Sequence, residues 1–118
     1  MARRDLSGAV DFSVLEGMTA GDAGIAEEVL GLFVQQAAMW EPMLDVREEG
    51  WRDAAHTIRG AAAGIGAKAL AETCQLAEAA EKAEAPPMLE RVHDALEAAL
   101  GDVAAYRHEL MLRSLRNG

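Results

Sequence analysis

The sequence predicts an all-α fold, an antiparallel four-helix bundle preceded by a short extra N-terminal helix. Hydrophobic residues make up 51% of the 118 residues but aromatic residues only 4%, so the core must consist of alanine and aliphatic side chains, which favour helices. Apolar residues recur every three or four positions, and no stretch alternates with the period of two expected of a strand. We predict one domain over residues 1–118, ordered over about 9–112 and frayed at both ends.

The first two helices are separated by a glycine-rich break. Phe12, Leu15 and Met18 have the spacing of a short helix. Residues 21–24 interrupt the pattern, and Asp22 is a suitable N-cap for the second helix. That helix has an apolar stripe over four or more turns, formed by Ile25, Val29, Leu32, Phe33, Gln36 and Trp40.

The third helix is predicted to start late. Pro42 and residues 45–50 interrupt the helical pattern, so we place a connection there and the helix start near Gly50 or Trp51. Arg52 then belongs to its first turn. The apolar stripe is Trp51, Ala55, Ile58, Ala62 and Ile65, and the helix ends at Gly64 and Gly66.

Two further helices complete the predicted bundle. The fourth runs over about 67–84, with Leu70, Cys74 and Ala77 facing inward. Pro86 and Pro87 mark the next boundary, since proline is tolerated in the first turn of a helix and not further in. The last helix begins at Met88 and frays from Arg113, and its stripe is Leu89, Val92, Leu96, Leu100, Val103 and Leu110.

Composition excludes several classes of function. The net charge of −9 and the pI of about 4.7 make the protein a poor ligand for a phosphate backbone, so we expect no nucleic-acid partner. Cys74 is the only cysteine, which excludes an intramolecular disulfide and a cysteine-based metal cluster. We find no signal peptide and no membrane-spanning run, and therefore expect a cytoplasmic protein without membrane contact.

One face of the third helix combines a histidine, two arginines and very small residues. Positions four before and three, four and seven after His56 are Arg52, Arg59, Gly60 and Ala63. Because the apolar stripe faces another side, His56 is predicted to be exposed. Imidazole is a nitrogen nucleophile, and guanidinium groups can balance the charge of a phosphoryl group. A mid-helix glycine costs about 0.8–1.0 kcal/mol relative to alanine, and close approach of a partner would explain it.

This stretch resembles the signature of histidine phosphotransfer (HPt) domains. Residues 56–62, HTIRGAA, are similar to the pattern His-x-Leu-Lys-Gly-Ser/Ala-Ser/Ala, and Gly66 supplies the glycine ten residues after the histidine. On the next helix, the family's leucine, cysteine and acidic or amide residue correspond to Leu70, Cys74 and Glu78. Phe33 and the last helix also fit, so the similarity covers most of the chain.

The resemblance implies roles for the residues of this face. His56 would accept the phosphoryl group on Nε2, and Glu78 would accept a hydrogen bond from Nδ1–H and so fix the tautomer. Arg59 replaces the usual lysine and would help to hold the phosphoryl group, with the same charge but a different geometry. Gly60 and Ala63 would let a receiver domain approach.

The same resemblance implies a carrier function. The protein would pass a phosphoryl group between aspartates of response-regulator receiver domains, in a relay fed by a (hybrid) histidine kinase. It would need no cofactor of its own, because the Mg²⁺ belongs to the receiver, and one exposed histidine per bundle predicts a monomer. We also expect Arg52 to support the phosphoryl group or imidazole, and Leu15 and Met18 to contribute to docking. Asn117 is the only asparagine, so a histidine-kinase type of ATP site is not expected.

Three alternatives remain at this point. The protein could be an interaction module that binds a receiver or kinase domain without accepting phosphate. Glu90 and His93 have the Glu-x-x-His spacing of carboxylate-bridged metal bundles, although only one copy is present and we expect no metal. His56 could instead be a structural residue, and Gly60 could serve tight packing between helices.

Overall fold

The computed structural model describes residues 8–117, and its regular structure is entirely helical. Within these residues there are five α-helices and no strand, which confirms the all-α prediction. The sequence features of residues 1–7 and of Gly118 lie outside the described residues. The helices are α1 (Phe12–Met18), α2 (Ala23–Trp40), α3 (Trp51–Ile65), α4 (Lys68–Ala79) and α5 (Ala85–Asn117), with short 3₁₀ turns at Glu41–Met43 and Lys82–Glu84.

Local side-chain and backbone chemistry sets the first helix boundaries. The Asp11 carboxylate accepts a hydrogen bond from the Ser13 backbone at the start of α1, and Asp22 accepts one from Ile25 at the start of α2. The N-cap predicted at Asp22 is thus confirmed.

Gly66 ends α3 in the left-handed conformation, with φ of +87°. A side chain at Gly66 would collide with the Asp11 carbonyl, while the Asp11 backbone N–H donates to the Gly66 carbonyl over 2.9 Å. Gly66 therefore allows both the end of α3 and the close approach of α1.

One hydrophobic core lies between α2, α3, α4 and α5. Helix α2 packs on α3 and α5, and α4 packs on the same two helices, while α1 lies against α3. The stripes predicted for α3 and α4 are buried in full. They are Trp51, Ala55, Ile58, Ala62 and Ile65 on α3, and Leu70, Cys74 and Ala77 on α4.

The stripe predicted for α2 was correct only in part. Phe33 is buried as predicted, and Val29 and Trp40 pack partly buried against the core. Ile25 and Leu32 are exposed, and the other buried residues of α2 are Ala26, Leu30 and Ala37. The physical reason is that α2 has large apolar residues on two faces, so periodicity alone did not select one. The face that is buried includes two alanines, and such small side chains let α2 approach its neighbours closely.

The ends of α4 and α5 also differ from the prediction. Helix α4 ends at Ala79 rather than near Glu84, because Ala80 adopts an extended conformation with ψ of 146°. Helix α5 begins at Ala85, before the predicted start at Met88, so both prolines lie in its first turn, and it continues to Asn117, past the point from which we predicted fraying. Among residues 8–117, no helix combines the length and the apolar character needed to span a membrane.

Tyr106 attaches α1 to α5, and the apolar pattern of α5 did not single it out. The Tyr106 and Phe12 rings stack with centroids 4.1 Å apart, and the buried Tyr106 hydroxyl donates to Glu16 over 2.6 Å. One turn earlier on α5, the buried Asp102 carboxylate accepts a hydrogen bond from the Val10 backbone. These contacts fix the position of α1 beside the end of α3.

The environment of Tyr106 predicts a raised ionisation midpoint. Burial and the hydrogen bond to the Glu16 carboxylate raise the pKa of Tyr106 from 10.0 to about 12. Because the folded state prefers the protonated phenol, this contribution to stability is complete below pH 10 and is lost as the pH rises toward 12. Tyr106 is the only tyrosine, so ultraviolet titration should give a midpoint near 12 when folded and near 10 in urea. Equal midpoints would contradict the described packing.

Candidate functional site

His56 lies on the exposed face of α3, as predicted. Its side chain is 65% exposed, whereas Ala55 and Ile58 on the same helix are buried. A histidine with a purely structural role would be expected to fill space in the core or satisfy a buried partner, and this exposure does not fit that role. One ring edge is held by protein atoms, and the rest of the imidazole is accessible.

Glu78 is the residue that contacts the Nδ1 edge of the His56 ring. The turn at Gly66 brings α4 beside α3, so that Glu78 lies opposite His56 although 22 positions separate them in the sequence. Glu78 Oε1 lies 2.9 Å from His56 Nδ1, and Glu78 Oε2 accepts a hydrogen bond of 2.7 Å from Arg59 Nε. The carboxylate therefore bridges an imidazole and a guanidinium, and each oxygen has its own partner.

This bridge defines the tautomer of His56. An ionised carboxylate can only accept hydrogen bonds, so the 2.9 Å contact requires a hydrogen on Nδ1. With Nδ1 protonated, a neutral imidazole has its lone pair on Nε2. The nearby Arg59 Nη2, 3.1 Å from Nδ1, then cannot donate to that nitrogen, and its hydrogens remain available to another acceptor. The geometry thus presents Nε2 as the nucleophilic atom.

Arg52 makes none of its hydrogen bonds to the imidazole that we predicted it to support. Its Nη2 donates to the Ala80 carbonyl over 2.8 Å, and its Nε donates to the Glu78 carbonyl over 3.4 Å. The guanidinium also stacks over the Trp51 ring at 4.4 Å from the centroid. These contacts direct the guanidinium to the end of α4, because a first-turn side chain of α3 lies beside those carbonyl groups. The guanidinium of Arg52 thus binds the end of α4 instead of the imidazole, and its support of a phosphoryl group stays a prediction.

The small residues that follow His56 leave an open surface. Gly60, Ala63 and Gly64 are all exposed. A Cβ atom built at Gly60 or Gly64 would meet nothing within 4 Å. Tight packing between helices therefore does not explain Gly60 within the described residues. Two glycines inside one helix lower its stability. What they provide in return is an open surface beside His56.

The predicted contribution of α1 to this surface needs one correction. Leu15 has no exposed surface and belongs to the core, because its helix face packs inward against the bundle. It cannot contact a docking partner. Met18 is 58% exposed, as a surface role requires. Val14, which the sequence did not indicate, is also exposed, and its Cβ lies against Gly66 at the end of α3.

The Glu-x-x-His pair on α5 has a different environment from a metal site. His93 is half-buried, with Nε2 3.3 Å from the Leu44 carbonyl and Nδ1 3.4 Å from the Glu41 carboxylate. Glu90 is exposed on α5. Within residues 8–117, no three histidine, cysteine or carboxylate side chains are grouped as metal ligands. The contacts of His93 fasten the loop after α2 to α5.

Cys74 lies one turn before Glu78 but is chemically inert. Burial, reinforced by the nearby Glu78 carboxylate, raises the pKa of the Cys74 thiol to about 12. A thiol in this state is protonated and is a poor nucleophile at neutral pH. Its role is that of a small core residue, which leaves His56 as the accessible nucleophile of this region.

Removing the Glu78 carboxylate should change the tautomer of His56. In Glu78→Ala, Nδ1 loses its acceptor, and Arg59 Nη2 can donate to it, so the neutral ring should move toward the Nε2–H form. Nitrogen-15 NMR of the imidazole measures this ratio directly. The matched control is Glu72→Ala on the exposed side of α4. An unchanged ratio in Glu78→Ala would show that the carboxylate does not set the tautomer.

Comparisons with known proteins place this geometry in a family. The Hpt domain profile matches residues 28–104, more than half of the chain. Among curated proteins, none matches. The solved structure of the histidine phosphotransferase ShpA from Caulobacter crescentus is similar, with 55% sequence identity and a TM-score of 0.82, covering 92% of this chain and 99% of that one. The chain belongs to the histidine phosphotransfer (Hpt) domain family.

Proposed function

We propose that His56 is the residue on which this phosphorelay intermediate of two-component signalling carries its phosphoryl group. The observation that supports this assignment is the bridge from Glu78 to Nδ1, which leaves Nε2 with a lone pair on an exposed ring. His93 has both ring nitrogens close to protein acceptors, and His108 lies on the exposed side of α5. Of these three histidines, only His56 combines a fixed tautomer with an accessible surface of small residues.

The proposed transfer is an in-line displacement at phosphorus. The Nε2 lone pair attacks the aspartyl phosphate of a receiver, the N–P bond forms, and the P–O bond to the aspartate breaks so that its carboxylate leaves with the electron pair. The ring keeps its Nδ1 hydrogen and becomes positively charged. Glu78, 2.9 Å away, stabilises that developing charge by electrostatic attraction. Transfer to a second receiver aspartate reverses these steps.

Arg59 has two proposed contributions. Its Nε holds Glu78 Oε2 at 2.7 Å, so the carboxylate is oriented before the reaction. Its Nη2 lies 3.1 Å from Nδ1 of the same ring, and we propose that it turns toward Nε2 to contact a phosphoryl group bound there. A lysine offers one ammonium group and could not make both contacts in the same planar arrangement. Arg59 would thus couple the position of Glu78 to the charge of the phosphoryl group.

The proposed docking face runs along α3 from His56 to α1. It consists of His56, Gly60, Ala63, Gly64 and, beyond the end of α3, Val14, with Met18 at its edge. Small residues beside the imidazole would let the receiver's phosphorylated loop approach closely, and Val14 would supply an apolar contact. The partners are response-regulator receiver domains and a (hybrid) histidine kinase. The receiver would contribute the Mg²⁺, so the chain would need no cofactor of its own.

Further features belong to the same proposal. The short connections on either side of α4 favour an antiparallel four-helix bundle. We propose that the carrier lacks its own ATP site and acts in the cytoplasm. It would be a monomer, since one accessible histidine per bundle is sufficient. The second candidate is an interaction module that binds a receiver without accepting phosphate, and the open face of α3 would serve that function equally well.

Phosphoryl transfer from a phosphorylated receiver domain separates these candidates. We expect acid-labile, alkali-stable label on the wild type and on the control His108→Gln, and none on His56→Gln, because only His56 is proposed to accept the group. All three proteins should have the same helical circular dichroism. Label on His56→Gln would contradict the assignment. A panel of receivers that binds the folded wild type but never labels it would favour the interaction module.

A further inference from the structure

Helix α4 ends without the usual means of satisfying its last carbonyl groups. The final four C=O groups of any helix have no partner within the helix. Here the residue after the helix is Ala80 in an extended conformation, not a left-handed glycine, and its N–H bonds to the Ala77 carbonyl. The last turn contains no basic residue that could offset the negative end of the helix dipole. This end of α4 needs donors from elsewhere in the fold.

Arg52 supplies those donors from the first turn of α3. Its Nη2 and Nε reach the carbonyls of Ala80 and Glu78, at 2.8 and 3.4 Å. Its positive charge also lies at the negative end of α4. Trp51 is 4% exposed, and the centroid of its ring lies 4.4 Å from the guanidinium carbon. Stacking on a buried ring limits the conformations of the arginine, so its fork of donors is held toward the two carbonyls.

The turn that Arg52 holds is the one that carries Glu78. Glu78 is the last residue but one of α4, so loss of this turn would move its carboxylate away from His56. Arg59 orients the same residue through its carboxylate, at 2.7 Å. Glu78 is therefore held at two points, its backbone by Arg52 and its side chain by Arg59, and both arginines belong to the helix of His56.

We propose that Arg52 is a positioning residue, which caps α4 from α3 and so keeps Glu78 within hydrogen-bonding distance of His56 Nδ1. The expected effect of Arg52 on phosphoryl transfer rests on the proposed function of His56. Its expected effect on the position of Glu78 does not. Arg52 makes its described contacts with Trp51, Glu78 and Ala80. Its action on the imidazole is indirect, through the last turn of α4.

The test compares Arg52→Ala with Arg52→Lys and with the control Arg91→Ala, an exposed arginine on α5. In Arg52→Ala we expect amide exchange at residues 77–80 to become about fivefold faster, as for the loss of a helix cap. Nitrogen-15 NMR should show the neutral His56 ring moving toward the Nε2–H tautomer, and phosphoryl transfer should slow about fivefold. Arg52→Lys should be intermediate, because one ammonium cannot span both carbonyls.

The outcomes separate this inference from the proposed function. If Arg52→Ala exchanges faster at residues 77–80 but keeps the tautomer ratio, Arg52 is only a cap and the inference is wrong. It is equally wrong if all three measurements equal those of Arg91→Ala. If the tautomer shifts while the wild type accepts no phosphoryl group from any receiver, the positioning role holds and the proposed function fails. If Arg52→Ala does not fold, the same three measurements on Arg52→Lys decide whether the inference is correct.

Discussion

The hydrogen bond between His56 Nδ1 and Glu78 is the interaction on which the proposed chemistry of this protein depends. An exposed imidazole has two similar nitrogens, and nothing in its own chemistry assigns one of them to hold a proton and the other to react. Glu78 makes that assignment by accepting from Nδ1 at 2.9 Å. The rest of the site either holds Glu78 in place or leaves space at Nε2.

The fold provides this hydrogen bond through a sharp turn between two helices. The left-handed Gly66 ends α3, and α4 begins two residues later beside it, with the buried stripes of both helices fixing their contact. Helix α4 is short, so Glu78 falls in its weak last turn, and two arginines of α3 compensate for that position. The same α3 carries glycines at 60 and 64, which open the surface beside the imidazole. Stability and access are thus provided by opposite faces of one helix.

Periodicity and spacing predicted the helices of the core well. They failed for side chains whose direction depends on how the helices pack against one another. The stripes of α3 and α4 were correct, whereas α2 has large apolar residues on two faces, and its stripe was correct only in part. The family pattern placed Glu78 opposite His56. It could not show that Arg52 turns toward the carbonyls of α4, that Leu15 faces inward while Val14 faces solvent, or that Tyr106 holds α1. Each of these features depends on how helices that are distant in the sequence lie against one another. The spacing of residues along one helix gives no information about such contacts.

The most direct test of this account is to determine which nitrogen of His56 carries the phosphoryl group. Protein labelled with nitrogen-15 at histidine would be phosphorylated by a receiver domain, and the nitrogen–phosphorus coupling measured by NMR. Because Glu78 keeps the hydrogen on Nδ1, the phosphorus should be bonded to Nε2. A phosphoryl group on Nδ1 would require Glu78 to give up its hydrogen bond, and would contradict the account of the site.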